Sequence, residues 1–152
     1  MGGVGPDHLP GHGHCDSLSF EWWVDGVPII VDAGTLSYVA GAPRAACRST
    51  RAHNTIEIDA YEQHEMWAAF RVARRATVHA RLDSNNVIEA DLIPWHDGQI
   101  RVTRRFVFGA TTVRVEDHAT PIAELARLLG LHKETFAQEH ARKPERKPPG
   151  GK

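Results

Sequence analysis

Apolar and polar residues alternate along Leu18–Val24, Val87–Ile93 and Gln99–Phe108, and this period of two constrains the fold more than any other feature of the chain. Side chains on an extended backbone point to opposite faces in turn, so each stretch reads as a strand with one buried face. In the first, Leu18, Phe20, Trp22 and Val24 point one way while Ser19, Glu21 and Trp23 point the other. Asp25-Gly26 then predicts a hairpin, because both residues tolerate the positive φ that tight turns require. Val27–Asp32 is the returning strand. Its run Pro28-Ile29-Ile30-Val31 is apolar on both faces, which predicts deep burial. With Val24 opposite Val27, Asp32 falls opposite Ser19. Further strands are expected over Asn54–Asp59, with Ile56 and Ile58 inward, and over Phe70–Leu82 and Thr112–Glu116; an Asp97-Gly98 turn precedes Gln99–Phe108. Repeated short strands with hairpin signals imply an all-β fold, an antiparallel β-sandwich with jelly-roll-like layers.

The segments between the strands are less regular. Residues 33–53 lack sustained periodicity, and a loop of that length inside a compact domain is uncommon unless it has a task. Glu62–Ala69 suits either one turn of helix or a loop. Within Pro121–Ala141, Ala123–Leu129 holds helix formers, whereas Ala126–His132 equally suits a last strand. Residues 1–13 read as a linker or loop, 14–133 as the β-domain, and 134–152 as a disordered basic tail rich in proline and glycine. A chain of 152 residues makes one domain with a real core. Its glycine-rich start, with the densest motif reached by residue 12, reads like the later part of something longer.

Charge and composition exclude several classes of function. The formal charge of −1 argues against a nucleic-acid partner. The local clusters Arg44/Arg48/Arg51, Arg71/Arg74/Arg75 and Arg101/Arg104/Arg105 are expected to be mostly solvated faces. No apolar run is long enough to span a bilayer, and the N-terminus has no secretory signal. Two cysteines, Cys15 and Cys47, are too few for a disulfide framework.

The chemistry concentrates in Gly11-His12-Gly13-His14-Cys15-Asp16. Histidines at i and i+2 on an extended backbone share one side, and the flanking glycines let a metal ion or a sugar approach closely. Three segments supply metal-ligand types: His12 and His14 ahead of the first strand, Asp32 at the end of the second, and His53 at the start of the third. Neutral imidazoles with a carboxylate suit Zn²⁺. Asp16 fits either a hydrogen bond to a liganding imidazole or, more simply, a turn cap.

These stretches resemble a known family. Gly11–Phe20, Val31-Asp32-Ala33-Gly34-Thr35 with Tyr38, Arg48–Thr55 and Gln63 together are similar to the C-terminal β-domain of the heparinase II/III-like polysaccharide lyases. The similarity is specific as an ordered set over roughly residues 5–75, and the later strands fit more loosely. Cys15 stands where the family often has a small residue, and Leu36 where it often has an aromatic one.

The resemblance implies an N-terminal α/α toroid packed against β-sandwich layers, with the active cleft between them; no toroid is present in these 152 residues. It implies that His14, Asp32 and His53 hold a structural Zn²⁺ while His12 faces the sugar and takes part in catalysis. The partner implied is an anionic, uronic-acid-containing polysaccharide or oligosaccharide, heparin-, heparan- or alginate-like, cleaved by β-elimination. Toroid residues would be supplied in cis or in trans, and the periplasm or cell envelope is the compartment that the resemblance suggests.

Tyr38, Arg48 and Asn54 are candidates for binding a uronate carboxylate or hydroxyls, with loop packing the simpler role, above all for Asn54. A metal-stapled carbohydrate-binding or structural β-domain without catalysis is the alternative reading, and a cupin-like metal enzyme a weaker third. Trp22, Trp23, Trp67 and Trp95 are expected in the core or between sheets rather than on sugar rings. His64, His79, His96, His118, His132 and His140 are expected to be surface or satisfied side chains.

Overall fold

The structure, a computed structural model, describes residues 4–6, 8–83, 86–96 and 98–121. The described residues form an all-β arrangement of two antiparallel sheets. β1 (Trp22–Val24) and β2 (Val27–Ile30) make a hairpin, while β3 (Thr77–Asp83), β4 (Val87–Ile93), β5 (Ile100–Phe108) and β6 (Val113–Pro121) form a four-stranded meander.

The meander's two faces differ as the alternation requires. Leu92 on β4 pairs with Val102 on β5, and Ala90 pairs with Arg104. Ala90, Leu92 and Val102 join Leu18 in the core, with Ile56, Ile58, Ala76, Val78 and Ile100 packed against them. The sheet is therefore covered by the loops around Leu18 and Ile56. The opposite face is a ladder of charges: Glu89 lies across from Arg105, and Arg105 across from Glu116. Asp91 on this face is buried and accepts hydrogen bonds from Arg81 and from the Thr103 hydroxyl.

The hairpin turn forms as expected, with Asp25 at φ 50° and Gly26 at φ 79° and Val24 paired with Val27. Two expectations about the hairpin are corrected. A bulge between Trp22 and Trp23 brings Trp22 opposite Ile30, so the register that set Asp32 against Ser19 is shifted by one residue. The strand is also not deeply buried: Val27, Ile29 and Val31 are 55–57% exposed. An apolar run marks a strand built to be covered, and no described element lies over this one.

Three further boundaries differ. The aperiodic stretch 33–53 contains a helix, α1 (Ala42–Arg48), with Pro43 in its first turn, followed by a 3-10 turn at Thr50–Ala52. Seven residues are too few to display a helical period. Asn54–Asp59 forms no strand beyond one isolated bridge, Ile58 to Tyr61, because Asp59 and Ala60 turn the chain at positive φ. Phe70–Leu82 pairs as a strand only from Thr77. The expectations for residues 122–152, and the precise path at Asp97, lie outside the described residues.

Candidate functional site

The loop Gly11–Asp16 is fixed by two arginines on one face of α1. Arg44 and Arg48 stand four residues apart and are 1% and 2% exposed. Arg44 donates from Nη2 to Gly11 O (2.9 Å) and from Nε to Ala69 O (2.8 Å). Arg48 donates from Nε to Gly13 O (2.8 Å) and from Nη1 to Ala68 O and Ala69 O. The backbone N–H of Cys15 donates in turn to Arg48 O. Each planar fork satisfies several carbonyls at once and clamps the histidine loop against residues 68–70. Burial, then the charge of Arg44, pulls the Arg48 pKa below its ordinary value. Arg48, a candidate for uronate binding from the sequence, is placed here as part of this clamp.

The two glycines serve packing. A Cβ on Gly13 would stand 2.5 Å from Val4 Cγ2, and one on Gly11 would stand 3.3 Å from Phe70 O. The room that the sequence offered to a metal or sugar is filled by Val4 and Phe70.

Because this loop is a turn rather than a strand, His12 and His14 do not share one environment. His14 is buried, its ring centre 5.2 Å from that of His53, and its Nε2 lies 3.4 Å from Thr35 Oγ1. His12 is exposed, its ring edge-on to Tyr38 at 5.7 Å. Tyr38 itself lies over the Arg44 guanidinium, 5.3 Å from its ring centre. An open imidazole, an exposed phenol and a buried cation thus sit together beside α1.

Behind them, His53 Nδ1 lies 2.6 Å from Asp32 Oδ2, and Asp32 Oδ1 accepts from Gly34 N–H (2.8 Å). Burial opposes ionisation of Asp32, but the bonds from His53 and Gly34 outweigh it and hold the carboxyl below its usual pKa. The ionised carboxylate accepts, so the His53 proton resides on Nδ1 and Nε2 carries a lone pair. That Nε2 is buried and has no hydrogen-bond partner. Burial, then the neighbouring His53, lowers the pKa of His14 and favours its neutral form. Among the described residues no three His, Cys, Asp or Glu side chains are arranged to hold a metal ion. The donor set nonetheless fits Zn²⁺ chemically, with two imidazoles, one buried nitrogen lacking a partner, and a carboxylate that orients it. Cys15 does not join this set: burial raises its pKa to about 12, so it stays a thiol.

The remaining candidate, Asn54, ties the segments that flank the hairpin by donating from Nδ2 to Phe20 O and Val31 O. Two residues matter that sequence reasoning did not single out for this role. Gln63 is buried; its Oε1 accepts from Ser17 N–H while its Nε2 donates to Ser17 O and Thr55 Oγ1. Arg104, expected on a solvated face, is buried and donates from Nη1 to Leu18 O (2.8 Å) and Asn54 O (2.5 Å). It therefore ties the segments that follow His14 and His53 to β5. Its parity with Val102 and Phe106 on an inward-facing strand was the available signal.

The motif residues thus converge in space, and comparison with known proteins gives the set a name. The family model for the Heparinase II/III-like C-terminal domain matches residues 1–134. The chain belongs to the heparinase II/III-like family. No curated protein and no solved structure matches it. The family match covers every element described above, from the histidine loop to β6, and ties this β-domain to polysaccharide lyases.

Proposed function

We propose that this chain is the β-domain of a lyase that cleaves a uronic-acid-containing polysaccharide by β-elimination. The observation carrying this reading is the division between the two loop histidines: His12 stands open beside Tyr38 while His14 is buried against His53. In β-elimination the C5 proton is removed, the C4–O4 bond breaks as a C4–C5 double bond forms, and the leaving oxygen takes up a proton. Negative charge builds on the C5 carboxylate during this step and must be neutralised.

His12 suits proton transfer or charge neutralisation because its imidazole is open to a ligand and can both donate and accept a proton. Tyr38, itself exposed, offers a hydroxyl to the sugar. Asn54 acts through the backbone, holding the His53 segment to Phe20 and Val31. His14 and His53 would hold a Zn²⁺ ion, with Asp32 orienting the His53 ring through Nδ1, and the ion would help to fix the loop that carries His12. A helical domain, in the same polypeptide or a separate one, supplies the remaining catalytic groups. The uncovered apolar hairpin at Trp23, Val27 and Ile29 is a surface suited to such a domain.

Replacement of His12 with alanine in the complete enzyme tests the reading. The unsaturated uronate product should disappear while zinc content and melting temperature stay unchanged. Absence of product from the unaltered enzyme on every uronate polymer would instead indicate a binding or structural domain.

A further inference from the structure

The rings of His12 and Tyr38 meet edge-on with centres 5.7 Å apart, although both residues are exposed and neither belongs to a strand or a helix. Such a contact does not hold itself, because ordering two exposed side chains on separate loops costs more entropy than one edge contact returns. What holds it lies beneath. Arg44 donates from Nη2 to Gly11 O at 2.9 Å and from Nη1 to Ser37 O at 3.3 Å, and these are the carbonyls directly ahead of His12 and of Tyr38. A peptide unit is planar, so fixing each carbonyl fixes the plane that carries the next residue's N–H and Cα.

The same guanidinium is itself anchored. Its Nε donates to Ala69 O at 2.8 Å, and the charged group lies 4.3 Å from the Phe70 ring centre and 5.3 Å from that of Tyr38. Three nitrogens of one rigid fork thus bind two loops to residues 69–70. Arg48, its neighbour on α1, reaches Gly13 O, Ala68 O and Ala69 O instead, so it holds the loop on the His14 side. Of the two buried arginines, Arg44 is the one bonded both to the His12 loop and to the Tyr38 segment. A lysine at position 44 would keep the charge, but its single nitrogen on a flexible stem cannot span all three carbonyls in a fixed plane.

We propose that Arg44 is a positioning residue that sets the separation and mutual orientation of the His12 and Tyr38 rings. Its consequence for catalysis rests on the lyase reading above; the placement of the two rings does not. In β-elimination both side chains must meet the same sugar at once, and a displacement of about 1 Å at such a pair costs roughly 100-fold in rate. Arg44 itself is buried beneath Tyr38 and acts through the two residues it orders.

Nuclear magnetic resonance of the 152-residue chain tests the placement. The wild type should show a nuclear Overhauser effect between the His12 and Tyr38 ring protons. Arg44→Lys should lose it, whereas Arg48→Lys, which loosens the other side of the loop, should keep it. Retention in Arg44→Lys, or equal loss in the two variants, overturns the positioning role. Should either variant fail to fold, the wild type still decides: Nη1 and Nη2 of Arg44, tied to different carbonyls, should give separate signals, and one averaged signal overturns the proposal. In the complete enzyme, Arg44→Lys should lower kcat by about 10–100-fold while KM changes by less than about threefold, because orientation is lost and binding is kept. A kcat within about twofold of the wild type also overturns it. If the ring contact depends on Arg44 as expected but the wild-type enzyme forms no unsaturated product, the lyase reading fails and the placement of the rings by Arg44 stands.

Discussion

Asp32 accepts a hydrogen bond from His53 Nδ1 at 2.6 Å, and the opposite nitrogen of the same ring is buried without a partner. A buried lone pair without a donor is costly, by roughly 1–3 kcal/mol. A metal ion would relieve that cost at this position, with Asp32 fixing the tautomer of the ring. Zinc binding should therefore depend steeply on this pair. His53→Ala should abolish stoichiometric zinc, and Asp32→Asn should weaken it by about 10–100-fold, the usual effect of removing an orienting carboxylate. Zinc content after dialysis against a weak chelator measures both. Equal zinc in the wild type and both variants would remove the metal from the account.

The histidine loop should be equally sensitive to a methyl group. A Cβ at Gly13 meets Val4 Cγ2 at 2.5 Å, and Val4 is itself buried. Gly13→Ala should destabilise the domain by about 1–3 kcal/mol, as overpacking does. Adding Val4→Ala should return part of that loss, giving a favourable coupling in a double-mutant cycle. Strictly additive urea midpoints would show that the loop tolerates the clash by other means.

Much of this arrangement was legible because strand period and turn chemistry are local. Leu92, Val102 and Ile56 point inward as alternation requires, and Asp25-Gly26 forms its turn. What could not be read was set by packing between distant segments. The bulge at Trp22/Trp23 moves Asp32 by one register position, and nothing in the local pattern announces it. Helix α1 is too short to show periodicity, so the pairing of Arg44 with Arg48 on one face was invisible: Arg44 read as surface charge and Arg48 as a candidate for uronate binding, whereas both are buried. The hairpin's apolar run reads as deeply buried, whereas Val27, Ile29 and Val31 stand more than half exposed. Trp67 reads as packed in the core or between sheets, whereas it stands exposed on a segment that belongs to no strand.

Arg104 should prove more important to folding than any other strand arginine. Its Nε and Nη2 pair with both oxygens of Asp117, directly opposite on β6, while Nη1 reaches Leu18 O and Asn54 O. Arg104→Met keeps much of the apolar stem but leaves two carbonyls and a carboxylate without their donor. Asp117 is exposed and regains water, so the expected loss is about 1–3 kcal/mol, the cost of leaving buried carbonyls without their donor. Arg105→Met, on the charged outer face, should cost less than about 1 kcal/mol, as exposed pairs do. Comparable losses in the two variants would contradict the inward placement of Arg104.

Acid should weaken the domain through His64 before its carboxylates titrate. The side chain is fully buried; its Nδ1 accepts from Ala76 N–H at 2.9 Å, so the ring proton sits on Nε2 and faces Ser17 Oγ at 3.1 Å. A second ring proton would displace the Ala76 bond, and burial, followed by the charge of Arg75, lowers the pKa from 6.5 to about 4. Above pH 6.5 the ring is neutral in both folded and unfolded chains, and its contribution is fully present. As the pH falls below 6.5 the unfolded chain takes up the proton first, so stability declines until the folded pKa is passed near 4. The total is about 3 kcal/mol from a shift of this size. His64→Gln should be less stable than the wild type at pH 7, yet lose less stability between pH 7 and pH 4. Urea unfolding of both proteins across that range gives the difference, which isolates His64 from the other histidines. Parallel stability curves would mean that His64 is protonated as readily in the folded chain as in the unfolded one.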